Sequence, residues 1–172
     1  MPAHYPVYLN LTGKKCLVFG GGPIAEDKIA KLQSTGAQVT IVSPTVTPNL
    51  QAWAHRGDFQ WQPREYQAGD MEGAFLSIAA TNDRQVNHEI FQEAERLGVL
   101  INVVDDPEQC TFIAPAVVRR GQVTLAISTG GASPALARKL REALTEDAVL
   151  EWADLARVLS LARKVVKKRG LT

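Results

Sequence analysis

Short continuous apolar runs alternate along the chain with apolar positions at helical spacing, the pattern of stacked strand–helix–strand units. The first run, Cys16-Leu17-Val18-Phe19, closes on Gly20-Gly21-Gly22. Ile24, Ala25, Lys28, Ile29 and Leu32 then recur at helical spacing, and Gly36 supplies a stop. Val39–Val42 reads as a second strand, and a helix-like stretch runs through Leu50 and Trp53 to Gly57. A third strand is expected at residues 59–63. The run Ala74–Ala80 is nearly all apolar, as suits a strand buried on both faces. Residues 84–97 read as a helix stopped by Gly98, and Val99–Val104 as another buried strand.

Beyond Asp105 the pattern changes. Ala116–Arg119 and Gln122–Ser128 flank Arg120-Gly121, which predicts a hairpin rather than a crossover. Ser133-Pro134 puts a capping residue before a proline at the first helical position. That helix runs through Leu136, Leu140 and Leu144, and a further helical pattern covers about residues 147–168. The expected fold class is therefore α/β, a Rossmann-type parallel sheet with helices on both faces. It occupies residues 1–113, followed by a strand-pair region at 114–146 and a short helical segment at 147–172. The second part is too small to hold a large core alone, so packing on a second subunit is expected.

Composition narrows the function classes. The chain has 172 residues, 45% of them hydrophobic, which excludes wholesale disorder. No apolar run reaches the length of a membrane-spanning helix and the start lacks a signal peptide's layout, so a cytoplasmic protein without a membrane partner is expected. The formal charge of +1 hides an asymmetry, with 13 basic and 16 acidic residues in 1–150. Residues 151–172 carry six basic groups against Glu151 and Asp154. A solvated helix end explains that excess. Nucleic-acid binding is not expected, because no aromatics interleave with the cations.

Gly20-Gly21-Gly22-Pro23-Ile24-Ala25 matches the G-x-G-x-x-G/A turn between a strand and a helix. One glycine permits the turn and another lets backbone N–H groups approach a pyrophosphate. Ala25 allows close helix–strand packing, and the helix N-terminus faces the anion. A dinucleotide site is expected, against the plainer reading of a tight structural turn. The ribose partner is open: the second strand ends in Val42-Ser43-Pro44-Thr45, with neither the carboxylate of many NAD sites nor an arginine for a 2′-phosphate. Ser43 or Thr45 is the available contact, and the residues alone leave NAD and NADP undecided.

Asn102-Val103-Val104-Asp105-Asp106-Pro107 places two carboxylates beyond a buried strand, where ligands of open α/β sheets bind. An Asp-Pro turn is the plainer explanation. One carboxylate is expected to point in and one out. Asp83 is read as a helix cap. Ser128-Thr129-Gly130-Gly131-Ala132-Ser133-Pro134 joins a strand to a helix bearing Arg138, Lys139 and Arg141, a second candidate anion site. His4, His55 and His88 have no metal-ligand spacing, and no metal site is expected. Cys16 and Cys110 are read as structural, and Trp53, Trp61 and Trp152 as packing residues.

These residues together resemble the precorrin-2 dehydrogenase/ferrochelatase family, the N-terminal part of sirohaem synthases. The resemblance runs from Tyr5-Pro6-Val7-Tyr8-Leu9 to about Leu144. It rests on Val18–Ala25, Ala79-Ala80-Thr81-Asn82-Asp83, Asn102–Pro107, Phe112-Ile113-Ala114-Pro115-Ala116 and Ile127–Pro134. It implies NAD-dependent oxidation of precorrin-2, a tetrapyrrole, to sirohydrochlorin, with Fe²⁺ insertion in some members, by a homodimer. It implies Asp105 as the functional aspartate. NAD contacts fall at Pro23, Ile24, Pro44 and Thr45, besides Gly20, Gly22 and Thr81. The anchors for a polycarboxylate are expected at Arg119, Arg120, Arg138, Lys139, Ser128, Thr129 and Gly130. Many relatives read Ala-x-Arg-Lys where this chain has Ala25-Glu26-Asp27-Lys28, an exchange expected to weaken NAD binding. The alternatives are an NAD sensor without catalysis and a tetrapyrrole-binding module.

Overall fold

The computed structural model describes residues 4–147, 150 and 152–169. Tyr5–Ile113 forms one compact unit and the residues from Ala114 onward a second. The first unit holds β1 (Lys15–Phe19), α1 (Pro23–Gln33), β2 (Gln38–Val42), α2 (Pro48–His55) and β3 (Gln60–Gln62). These are followed by β4 (Leu76–Ala79), α3 (Arg84–Leu97), β5 (Leu100–Val103) and a 3₁₀ turn at Pro107–Gln109. All strand pairs are parallel and the order is β3-β2-β1-β4-β5, so the order reverses between β1 and β4. This is the Rossmann-type sheet the apolar pattern predicts, and ligands of such sheets bind beside that reversal.

Side-chain alternation along the strands divides the core in two. Cys16, Val18, Val39, Ile41, Leu76 and Ile78 face Ala25, Ile29 and Leu32 of α1 and Leu50 of α2. Leu17, Phe19, Val42, Ala79, Ile101 and Val103 face Ile90 and Ala94 of α3, with Met71 beside them. Burial also pushes the Cys16 thiol up to about 11, consistent with a structural role. The helix ends follow local chemistry. The Thr47 hydroxyl accepts from the Leu50 N–H at the start of α2. Asp83 accepts from the Gln85 and Val86 N–H groups at the start of α3, as expected of a cap. Gly98 ends α3 at φ 67°, a left-handed position that suits glycine.

The second unit pairs β6 (Ala116–Arg120) antiparallel with β7 (Val123–Ile127), and adds α4 (Pro134–Glu146) and α5 (Ala153–Lys168). Two sequence expectations shift here. Arg120 pairs with Val123, so the turn is Gly121-Gln122 rather than Arg120-Gly121, with Gly121 at φ 57° in the first central position. The last helix begins at Ala153 instead of near 147, and Asp147 at the end of α4 is extended. Among the described residues of this unit Val118, Ala137, Leu150 and Ala153 are buried. Leu136, Leu140, Leu155, Val158 and Leu161 are exposed. Trp152 is 73% exposed and is not the packing residue expected, whereas Trp53 and Trp61 do pack on the core. Among the described residues no helix is long and apolar enough to cross a membrane.

Candidate functional site

Register places the candidate residues before any side chain is considered. Gln62, Val42, Phe19, Ala79 and Val103 form one continuous rung across the five strands. Each strand ends at this rung or, in register, next to it. The residues that follow form the carboxyl rim: Gly20-Gly21-Gly22 after β1, Pro44-Thr45 after β2, Thr81 after β4 and Asp105 after β5. A cleft of about 590 Å³ opens there, lined by Gly20–Gly22, Val42–Thr47, Glu65, Tyr66 and Ala80–Asp83 among others. It brings together Gly20, Gly22, Pro44, Thr45 and Thr81 of the expected cofactor set. Pro23 and Ile24 form the adjoining first turn of α1, where Ile24 is half exposed.

The three glycines of the turn do different things. Gly20 has φ 107°, and a Cβ there would lie 2.4 Å from the Ala80 carbonyl oxygen. A Cβ on Gly21 would lie 2.1 Å from the Thr45 carbonyl oxygen, and the Gly21 carbonyl accepts from the Thr47 N–H at 2.9 Å. Gly22 caps α1 with extended backbone, without a side-chain cap, and a Cβ there would meet nothing within 4 Å. Gly20 and Gly21 thus close the turn against its neighbours, and Gly22 leaves open space before the N–H groups of α1. That is the cradle a pyrophosphate requires, so the residues present fit a dinucleotide. Gly21 is the tightest of the three, a point the motif alone does not reveal.

The exchanged residues of α1 do not line this cleft. The Glu26 carboxylate accepts from the Thr47 hydroxyl and from the Asn49 side-chain amide at 2.8 Å, and these bonds hold it below the usual carboxylate range. Asp27 pairs with Lys31 at 2.6 Å on the outer side of the helix. Neither presents an unpaired anion to the phosphates.

Beyond β2 the two open ribose contacts separate. Ser43 is buried and its hydroxyl donates to the Thr45 carbonyl at 2.7 Å, so its proton is spent within the loop. Thr45 is exposed at the rim. Glu65 and Tyr66, which carry no local sequence signal, line the cleft from the loop after β3. That loop is pinned: Arg64 holds Asp70 at 2.6 and 2.8 Å, and the Gly69 N–H donates to buried Glu93 at 2.7 Å. The Tyr66 hydroxyl donates to Glu93 at 2.7 Å, and its ring meets Phe19 edge-on at 5.4 Å. Burial, and then the Glu93 carboxylate, push the Tyr66 phenol well above its ordinary range.

At the opposite side, Thr81 lines the cleft but its hydroxyl is engaged, donating to the Asn87 side-chain oxygen at 2.8 Å. Asp105 is exposed with φ 61°, the left-handed region, and among the described residues no other non-glycine has a positive φ. Asp106 turns into the structure instead, accepting from the Gln109 side-chain amide at 2.6 Å. Gln109 in turn meets His88 Nδ1 at 2.8 Å, and Gln92 meets His88 Nε2 at 2.9 Å. The Cys110 thiol donates toward the Val103 and Asp106 carbonyls, and burial raises its pKa, so it serves as a staple. No group of three His, Cys, Asp or Glu among the described residues is placed to hold a metal.

The expected substrate residues lie in the second unit. Ser128 accepts from the Gly130 N–H at 3.0 Å. Thr129 bonds the backbone of Ser133, and Ser133 caps α4. Gly130 and Gly131 both have positive φ, so local turn chemistry uses the whole Ser-Thr-Gly-Gly run. Arg119 and Arg120 are adjacent on β6, so they leave the ribbon from opposite faces, Arg120 on the face of buried Val118. Arg138 is exposed in the second turn of α4.

A family model described as putative NAD(P)-binding matches residues 7–116, and one described as sirohaem biosynthesis protein central matches residues 120–146. A siroheme synthase of Nitrosococcus oceani is 38% identical over 166 residues, covering 96% of this chain and 36% of that protein. Siroheme synthase 1 of Aeromonas salmonicida is 41% identical over 141 residues, covering 82% and 30%. Among solved structures, SirC, precorrin-2 dehydrogenase, is 30% identical with a TM-score of 0.79, covering 95% of this chain and 81% of that one. The chain spans about a third of the length of the siroheme synthases it matches.

Proposed function

The chain belongs to the precorrin-2 dehydrogenase and siroheme synthase family, and from that premise we propose that it oxidises precorrin-2 to sirohydrochlorin with NAD as the oxidant. The observation that carries this reading is the rim itself, where a three-glycine cradle and an aspartate in left-handed backbone flank the strand-order reversal. When bound, NAD⁺ supplies a two-electron acceptor for hydride. The chain's own groups do the rest. Gly22 and the first turn of α1 receive the pyrophosphate through backbone N–H groups. Pro44 and Thr45 stand where the adenosine ribose approaches.

Asp105 accepts the proton that accompanies hydride loss, so the macrocycle gives up one hydride and one proton and gains a double bond. Arg119, Arg120 and Arg138 supply cations for a polycarboxylate, and the Ser128 hydroxyl, which only accepts within its own loop, supplies a donor. A homodimer is part of this reading, supported by the exposed Leu136 and Leu140 of α4 and the apolar residues of α5. The test is spectral conversion of purified precorrin-2 with NADH formed in equal amount. Turnover supports the proposal. Failure with competent substrate, by protein that still binds NAD⁺, removes the dehydrogenase reading and leaves a cofactor-binding module.

A further inference from the structure

Building on the NAD-binding reading, we propose that Glu65 is the group that makes this cleft select NAD over NADP. The second strand ends without the carboxylate that many NAD sites use for the ribose hydroxyls. The adjoining strand supplies one. Val42 pairs with Gln62, so Thr45 and Glu65 lie three residues beyond the same rung on neighbouring strands. Neighbouring strands are about 4.8 Å apart, so the two loops share the adenosine side of the rim. The cradle at α1 sets the position of the pyrophosphate, and this side is the one away from Asp105.

Charge on the cleft wall supports the same conclusion. Among the described residues lining the cleft none is Lys, Arg or His. The charged ones are Glu65 and Asp83, and the Asp83 carboxylate is occupied by two N–H groups of α3. The Glu65 carboxylate has no such partner among the described residues. The neighbouring cation, Arg64, is held by Asp70 on both carboxylate oxygens and by the Gln62 side chain, so it is not available to a phosphate. The loop that presents Glu65 is fixed at Asp70 and Glu93, so the carboxylate cannot retreat with its backbone. A ribose diol gains a carboxylate acceptor there, whereas a 2′-phosphate meets a like charge in a cleft whose described lining holds no cation.

The experiment is equilibrium titration of the purified protein with NAD⁺ and with NADP⁺, followed by calorimetry and independent of turnover. Wild type binds NAD⁺ more tightly by at least about tenfold, and Glu65→Gln shrinks that ratio by about tenfold, mainly through tighter NADP⁺ binding. Glu65→Asp keeps the charge and keeps NADP⁺ weak. Glu72→Gln removes an equal charge away from the cleft and leaves the ratio unchanged. The proposal is overturned if wild type binds NADP⁺ as well as NAD⁺, or if Glu65→Gln and wild type share one ratio. If neither nucleotide binds, the NAD reading fails and this inference with it. NAD⁺ binding with an unmoved ratio defeats the inference alone.

Discussion

The glycine turn separates folding from binding within three consecutive residues. Gly21→Ala puts a methyl 2.1 Å from the Thr45 carbonyl oxygen and 2.8 Å from a Val46 methyl, both on the segment that starts α2. Overpacking of this kind costs about 1–3 kcal/mol even when neighbours yield. Part of the obstacle is backbone tied by the Thr47 N–H to the Gly21 carbonyl, so the upper end applies. Gly20→Ala adds the cost of its positive φ, about 1–3 kcal/mol, to a 2.4 Å approach to Ala80. For a unit of this size about 3 kcal/mol lowers Tm by about 12–24 °C. Gly22→Ala meets nothing within 4 Å and has extended backbone, so its Tm stays within a few degrees. Its methyl instead stands before the N–H groups of α1 and weakens NAD⁺ binding by about tenfold or more. Thermal melts and NAD⁺ titrations of the three variants check this. A Gly21→Ala protein with wild-type Tm, or a Gly22→Ala protein with wild-type affinity, refutes the reasoning.

Other outcomes follow from the same geometry. Asp105→Asn tolerates left-handed backbone, so it keeps the loop and NAD⁺ binding while turnover falls by about 10²–10⁴-fold in a steady-state assay. Wild-type turnover in that variant removes Asp105 from the chemistry. Tyr66→Phe leaves buried Glu93 short of a donor and costs about 1–3 kcal/mol in urea denaturation. Although burial alone would raise it, the Asp70 carboxyl is held below its ordinary range by Arg64 and the Gln67 N–H. A lowered carboxylate stabilises the fold fully above its unfolded pKa, and that stability is lost as pH falls through the folded value. Melts of wild type and Asp70→Asn should therefore differ at neutral pH and converge as the pH drops below the ordinary carboxylate range.

What the sequence makes legible is what one segment carries by itself. Gly20 and Gly22, the Asp83 cap, the Ser133 cap and the strand runs all announce themselves within a few residues. Ser43 was legible only as a candidate, because its inward hydroxyl depends on how Thr45 turns. Glu65 and Tyr66 give no local signal. They become part of the cleft because β3 pairs with β2 in a register that brings Gln62 beside Val42, a long-range fact. Gly21 likewise reads as the spare glycine of its motif until Thr45 packs on it. Arg119 and Arg120 read as a basic pair, and only the pleat separates them.

Asp105 shows how backbone strain and side-chain chemistry meet on this rim. An L-residue at φ 61° costs about 1–2 kcal/mol relative to glycine, and an aspartate reduces that cost without removing it. The surrounding loop holds the strain in place through several independent ties. Asp106 is bound to Gln109, Gln109 to His88 on α3, the Cys110 thiol to two carbonyls, and the Thr111 N–H to Ile101. These ties belong to the neighbours of Asp105, while its own carboxylate stays exposed. A glycine would fold there with less strain and the same ties. Among the described residues none of these ties is made through the Asp105 carboxylate, so its use lies in what it meets at the rim. Asp105→Gly separates the two roles. Relief of the left-handed strain is offset by the roughly 0.5–1 kcal/mol of chain entropy glycine gives up on folding. The unfolding free energy should therefore stay within about 1 kcal/mol of wild type while turnover is lost. A variant that keeps both its stability and its turnover would assign the left-handed residue to the turn alone.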